Sequence, residues 1–168
     1  LFAANVAAWD LIEASIAAGQ QTFTALKYAP FPTVGAPSGM ALGGGCEILL
    51  HCSAVQAHAE SYIGLVEVGV GVIPGWGGCK EMIGRWVSNP ERPGGPMPPV
   101  AKVFETISTA KVATSADEAK ELLFLHETDG ITMNRDRLLA DAKAKALAMV
   151  AAGYKPPEEV AVSLPGPS

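Results

Sequence analysis

Charge is scarce in this chain: Asp, Glu, Lys and Arg together make up 17% of its 168 residues, where about a quarter is usual for a free-standing globular protein. A surface so poor in charge is expected to be partly covered by a partner. The 12 basic residues form no cluster and the net charge is −5, so the basic face that phosphate neutralisation requires is missing and no nucleic-acid partner is expected. Cysteine is sparse too. Cys46, Cys52 and Cys79 are odd in number and have no C-x-x-C spacing, which argues against a disulfide framework or a zinc site and for buried free thiols. No apolar run reaches the length of a membrane span, because glycine, glutamate or histidine interrupts each candidate, and no basic leader precedes a signal-type core. The expectation is a cytoplasmic protein without a membrane span.

Apolar residues are plentiful, at 49% of the chain, enough for one domain with a genuine core. Residues 5–26 are Ala-rich, with Val6, Trp9, Ile12, Ile16 and Phe23 at mostly helical spacing, which predicts a helix with a weak point at Gly19. Pro30 and Pro32 end it, and residues 33–37 read as a short strand. A helix is expected from Cys46 to Cys52, then a strand over residues 54–59 with Val55 and Ala57 opposite Gln56 and His58. The aliphatic, glycine-rich run 62–78 reads as a buried loop-and-strand segment, followed by a helix from about Cys79 to Val87. Residues 88–99 contain five prolines and two glycines and so form a linker. Beyond it, Val100 to Ile107 looks helical, and Ser115 with Glu118 forms a capping box that opens a helix running through Leu123. A last helix spans about Asn134 to Ala152, with Leu139, Ala142, Ala146, Met149 and Val150 on its apolar stripe, and an extended tail follows. The organisation expected is therefore a core over 1–87, a linker over 88–99, a helical region over 100–152 and a tail over 153–168.

The stretch LGGGCEILL, Leu42 to Leu50, sets three glycines and a carboxylate against an aliphatic run. Glycine lets another molecule touch the main chain, and the first N–H groups of a helix have no intrahelical partner, so the start of this helix suits an oxyanion. A phosphate loop would need Lys and Ser/Thr after the glycines, where Cys46 and Glu47 stand instead. Close packing of strand on helix is the reading that a glycine cluster alone favours, and a capping role would explain Glu47. The second carboxylate, Glu67, lies among aliphatic residues with no base nearby in sequence. Burial there would raise its pKa, and two carboxyls in such different settings are what an acid and base pair requires. The alternative is that Glu67 turns outward at a strand edge.

Residues 38–78, SGMALGGGCEILLHCSAVQAHAESYIGLVEVGVGVIPGWGG, closely resemble the active-site core of the crotonase superfamily, the enoyl-CoA hydratases and isomerases. The likeness comprises a glycine-rich turn, a Glu three residues beyond Gly44, a second Glu after a fixed interval and the following P-G-x-G-G. It implies an α/β crotonase-like ββα superhelix with a C-terminal helical trimerisation region. Gly44 would supply an oxyanion amide, Glu47 and Glu67 would be the catalytic pair, and Gly43, Leu65, Pro74, Gly75 and Trp76 would line the substrate pocket. The implied substrate is an acyl-coenzyme A thioester, hydrated at its 2-trans double bond in fatty-acid β-oxidation without a resident cofactor. The resemblance extends more weakly to residues 109–125 and 134–152 and implies a homo-oligomer, a trimer or dimer of trimers. The run VEVGVGVIPGWGG and the proline-rich insertion are also similar to the hydratase part of multifunctional proteins that carry a hydroxyacyl-CoA dehydrogenase domain. NAD is expected only if such a domain lies upstream.

Because the chain begins at Leu1, we read it as N-terminally incomplete, lacking the loop that in this family gives the first oxyanion amide. Two other readings compete: a Δ3,Δ2-enoyl-CoA isomerase, which needs one carboxylate, and a non-catalytic fragment with an assembly role. His51 and His58 lack metal-site spacing and read as surface or interface residues, Cys46 as a packed small hydrophobe, and Trp9 and Trp86 as core or interface.

Overall fold

A computed structural model describes residues 7–91, 94–95 and 97–159 of the chain. The first helix, α1 (Trp9–Lys27), runs unbroken through Gly19. Among the described residues of its expected apolar stripe only Phe23 is buried, and Trp9 is 72% exposed. The positions before Trp9 are not helical where they are described, and residues 5 and 6 lie outside the described residues.

Two small sheets carry the centre of the molecule. In one, β1 (Val34–Gly35), β3 (Ala54–His58) and β6 (Gly130–Thr132) run parallel in the order β1-β3-β6. In the other, β2 (Met40–Leu42) pairs in parallel with β4 (Tyr62–Gly64), and β5 (Val112–Ala113) pairs antiparallel to β4. The alternation expected of β3 holds, with Val55 and Ala57 buried and Gln56 and His58 only partly so. Between β2 and β3 the chain crosses from one sheet to the other through α2 (Gly44–Leu50). That short helix begins two residues earlier than the sequence predicts and ends at Leu50, because the N–H groups of His51 and Cys52 turn to Ile48 and Leu49 in tight final bonds. Its inner face, Cys46, Leu49 and Leu50, joins Val55, Ile63, Leu65 and Met82 in the core.

The run between β4 and the next helix departs from the expected buried segment. A 3₁₀ turn occupies Glu67–Val70, and Val70 and Ile73 stand largely in solvent. Then α3 (Gly78–Ser88) packs against α4 (Met97–Ser108), so the stretch expected as a linker connects two helices in contact. Residues 92, 93 and 96 of that stretch lie outside the described residues. α4 takes in Pro98 and Pro99 at its start, where their missing N–H groups cost nothing.

The capping box opens α5 (Ala116–Glu121) in a variant form: Ser115 Oγ accepts from the Glu118 N–H at 3.0 Å, while Glu118 Oε2 reaches past Ser115 to the Thr114 N–H and hydroxyl. The Thr114 N–H and hydroxyl, with Lys111, hold the Glu118 carboxyl down at about 2. The last helix, α6 (Leu138–Ala151), follows a 3₁₀ turn at Arg135–Arg137 and turns inward a face that keeps Ala142, Ala146 and Met149 of the expected stripe but replaces its edges. Leu138 and Ala142 are buried, while Leu139 and Val150 are exposed. Two polar bonds hold that face: Asp141 accepts from Thr132 Oγ1 at 2.9 Å, and Lys145 donates to the Thr128 carbonyl at 2.9 Å. Past α6, residues 154–159 have no regular secondary structure, with the Tyr154 hydroxyl 2.8 Å from Ser53 Oγ, and residues 160–168 of the expected tail lie outside the described residues. Among the described residues no helix is long and apolar enough to cross a membrane.

Candidate active site

Gly43 precedes α2 with φ +56° and ψ −126°, a conformation reserved for glycine, and its N–H is tied to the Gly64 carbonyl of β4 at 2.9 Å. The start of α2 is thereby pinned beside the end of β4, and the amides of Gly44, Gly45 and Cys46 have no intrahelical acceptor. Glu47, in that first turn, is 3% exposed. Its Oε1 accepts two main-chain bonds, from the N–H groups of Trp76 and Gly78, each at 2.9 Å. Trp76 lies in the turn before α3 and Gly78 is the first residue of α3, so the carboxylate joins α2 to α3. The turn can approach only because residue 78 has no side chain: a Cβ there would lie 2.9 Å from Leu65 Cδ2, 2.9 Å from Pro74 Cβ and 3.1 Å from Glu47 Oε1.

The 3₁₀ turn after β4 brings Glu67 to the same spot. Its Oε1 is 3.3 Å from where a Cβ of Gly43 would stand. Both Glu67 oxygens are shut off from solvent and neither has a hydrogen-bond partner. Burial raises its carboxyl above the usual carboxylate range and the nearby charge of Glu47 adds to the rise. The N–H groups of Glu67 and Val66 offset part of this without reaching hydrogen-bond geometry.

Trp76 closes the space between α1 and α2. The six-membered edge of its indole lies 3.2 Å from a Cβ position on Gly44, and the five-membered side occupies the room that a side chain on Gly19 would need. Phe23 meets the indole edge-on, ring centroids 5.5 Å apart at 83°. The predicted weak point of α1 is thus the place where the helix accepts a tryptophan. Such a two-carboxyl site beside a free helix-start amide suits proton transfer at carbons next to a polarised carbonyl.

Residues 12–89 match the family described as enoyl-CoA hydratase/isomerase. The chain belongs to that family. Its fold is crotonase-like: an enoyl-CoA hydratase from Bacillus anthracis superposes with a TM-score of 0.68 at 25% identity, over 84% of this chain and 48% of that one. A probable 3-hydroxyacyl-CoA dehydrogenase of Bacillus subtilis is 47% identical over 88% of this chain and 18% of its own length. A short-chain-enoyl-CoA hydratase of Clostridium acetobutylicum is 39% identical over 38% of this chain and 24% of its own. The crotonase-like chain therefore spans less than a fifth of the Bacillus subtilis relative and about half of the solved structure.

The sequence-predicted site residues fall into two groups in this crotonase-like fold. Gly43, Gly44, Glu47, Glu67 and Trp76 come together at the start of α2. Leu65 and Pro74 are buried beneath Gly78 and support the turn, while Gly75 faces α1, its carbonyl accepting from Gln20 Nε2 at 2.8 Å. Cys46 is wholly buried and its thiol is pushed well up by burial, which leaves no thiolate nucleophile. The surface or interface reading of His51 is corrected: the residue is 1% exposed and lies directly behind the site, next to Glu81. Sequence reasoning placed Gly19 and Phe23 only within the first helix, not at the site, and passed over Lys27 and Glu81. The adjacent charges of Lys80 and Glu81 resemble an ordinary solvated helix start, and nothing in the spacing ties Lys27 to residue 81. Among the described residues no group of three or more His, Cys, Asp or Glu is placed to hold a metal ion. A cleft of about 610 Å³ lined by Ser38, His58, Glu60 and Arg135 includes neither catalytic candidate.

Proposed function

We propose that this chain is the hydratase part of a longer β-oxidation enzyme and adds water across the 2-trans double bond of an enoyl-CoA thioester. The observation that carries the proposal is the convergence of Glu47 and Glu67 on the free amide end of α2. In this reading the thioester oxygen accepts from the Gly44 N–H. Glu47, anchored through Oε1, uses its other oxygen to take a proton from water as that water attacks C3. Negative charge then develops on the thioester oxygen, where one such amide is worth about 3 to 4 kcal/mol of barrier. Glu67, whose desolvated carboxyl favours the protonated form, delivers its proton to C2. The proton gained by Glu47 returns to Glu67 through solvent, so both acids are restored.

The reaction needs only carboxyls, an amide and water, and no resident cofactor enters it. NAD belongs to a dehydrogenase domain elsewhere in the polypeptide, one that would consume the 3-hydroxyacyl product. The name of the Bacillus subtilis relative supports that pairing of activities. The low charge content and the exposed Trp9, Phe31, Phe104 and Leu139 favour burial against further protein, including the homo-oligomer expected of the family.

The test is crotonyl-CoA hydration by the full polypeptide, followed through loss of the enoyl absorbance with product analysis. Glu47→Gln and Glu67→Gln should each lower turnover by about 100- to 10,000-fold, the usual scale for a lost proton-transfer group. Wild-type turnover in both variants refutes the assignment, and a product lacking the 3-hydroxyl group points to the isomerase instead.

A further inference from the structure

Behind Glu47 lies a line of buried polar contacts that the proton transfers do not use. His51 stands one helical turn after Glu47, and its Nδ1 is 2.7 Å from the Glu47 carbonyl oxygen. A carbonyl only accepts, so Nδ1 carries the proton. The His51 N–H has turned to the Ile48 carbonyl, and the imidazole caps the Glu47 carbonyl in its place. The same ring lies on the main chain of Gly77: a Cβ at residue 77 would be 2.8 Å from both Cε1 and Nε2. Gly77 sits between the two residues whose amides bind Glu47 Oε1.

The ring is held from two further elements. Phe23 of α1 packs on it with centroids 5.4 Å apart. Nε2, left without a proton by that arrangement, faces Glu81 Oε1 at 3.6 Å, too far for a hydrogen bond, and burial pulls the imidazole below its usual pKa towards the neutral form, while Glu81 Oε2 accepts from Lys27 Nζ of α1 at 2.6 Å. Burial penalises the Glu81 charge, but Lys27, with His51 and Lys80, outweighs it and keeps the carboxyl below its usual range. Lys27, Glu81 and His51 thus lead from α1 through α3 to the main chain of Glu47.

We propose that His51 is a positioning residue: its ring fixes the Glu47 main chain and the Gly77 turn relative to each other, so that the Trp76 and Gly78 amides stay on Glu47 Oε1, with Phe23 packed on the ring and Lys27 keeping the Glu81 carboxylate compensated where it faces Nε2. The role rests on the hydratase reading for its kinetic consequence, but not for its structural one. Loss of the ring frees the turn, and a carboxylate that has lost its register costs rate rather than substrate affinity.

The test uses the full polypeptide with crotonyl-CoA, alongside hydrogen exchange of the Trp76 and Gly78 amides. His51→Leu should lower kcat by about ten- to a hundredfold, the scale of a slightly misplaced catalytic group, with KM within a factor of about two of wild type and exchange at both amides at least about tenfold faster. His51→Asn, which offers an N–H at the reach of Nδ1, should recover most of kcat. Lys27→Met tests the same contacts from their partly exposed end and should lower kcat severalfold at unchanged KM. Folded His51→Leu protein with wild-type kcat, or a loss confined to KM, overturns the proposal. If His51→Leu does not fold, wild-type kcat and exchange in Lys27→Met overturn it. If the wild-type protein hydrates nothing, the hydratase reading falls, and the exchange arm still decides: faster exchange in His51→Leu supports the positioning role and unchanged exchange overturns it.

Discussion

Two glycines of α3 allow the main-chain anchorage of Glu47 to be tested within a single helix. At Gly84 an added Cβ meets nothing within 4 Å, so Gly84→Ala should gain the ordinary helix preference of alanine, about 1 kcal/mol. At Gly78 the same atom would stand 2.9 Å from Leu65 Cδ2 and Pro74 Cβ and 3.1 Å from Glu47 Oε1. Leu65 is fully buried and Pro74 is rigid, so neither can yield freely, and the carboxylate must shift. Overpacking of this kind costs about 1 to 3 kcal/mol. A weakened bond to the charged Oε1 adds about 1.5 kcal/mol or more. As the first residue of the helix, position 78 gains little from alanine's propensity, so the net expectation for Gly78→Ala is a loss of about 3 kcal/mol. Denaturant unfolding of both variants, read at unchanged m-value, gives the comparison, and hydratase turnover at a temperature where both are folded gives the functional counterpart. Equal stability of the two variants, with turnover intact in Gly78→Ala, would refute the claim that the Gly78 contact governs where Glu47 sits.

Two further predictions concern Glu67 and Trp76. The folded protein binds the Glu67 proton more tightly than the unfolded chain does, so stability should fall as pH rises from about 4.5 through the raised folded value. Glu67→Gln should remove that part of the slope in a pH series of unfolding midpoints, and an unchanged slope counts against a desolvated Glu67. Trp76→Ala empties the space between Gly19 and Gly44 and should cost about 2 to 3 kcal/mol, below the fully buried range because the indole is 36% exposed. It should also raise kcat/KM for eight-carbon relative to four-carbon enoyl thioesters, and an unchanged ratio would remove Trp76 from the pocket wall.

Much of the site was legible before any coordinates because its chemistry is dense and local. Glycines 43–45, Glu47 and the glycines after Pro74 lie within one continuous stretch, where Gly43 and Gly77 hold left-handed backbone and a Cβ on Gly44 or Gly78 would press on Trp76 or on Leu65 and Pro74. Glu67 stood out because a lone acid among aliphatics conflicts with simple burial. What escaped was set by contacts distant in sequence. Gly19 reads as a weakness until Trp76, 57 residues away, is seen filling it. His51 reads as a surface residue until Glu81 and the Glu47 carbonyl supply its partners. The inner face of α6 reads correctly at Ala142, Ala146 and Met149 but not at Leu139 and Val150, because side-chain hydrogen bonds by Asp141 and Lys145, invisible to apolar spacing, set the rotation. The exposure of Val70 and Ile73 went unseen because aliphatic composition alone does not say on which side of a 3₁₀ turn a residue will fall.

Residue 76 meets the rest of the molecule in two separable ways. Its amide grips the Glu47 carboxylate, and any amino acid except proline brings the same amide. Its indole shapes the room beside Gly44, and there the choice of side chain is everything. One position therefore contributes to chemistry through what all residues share and to selectivity through what distinguishes them. If the proposed hydration is this chain's reaction, mutational drift at this position would retune which thioesters are admitted while the proton-handling apparatus stays whole.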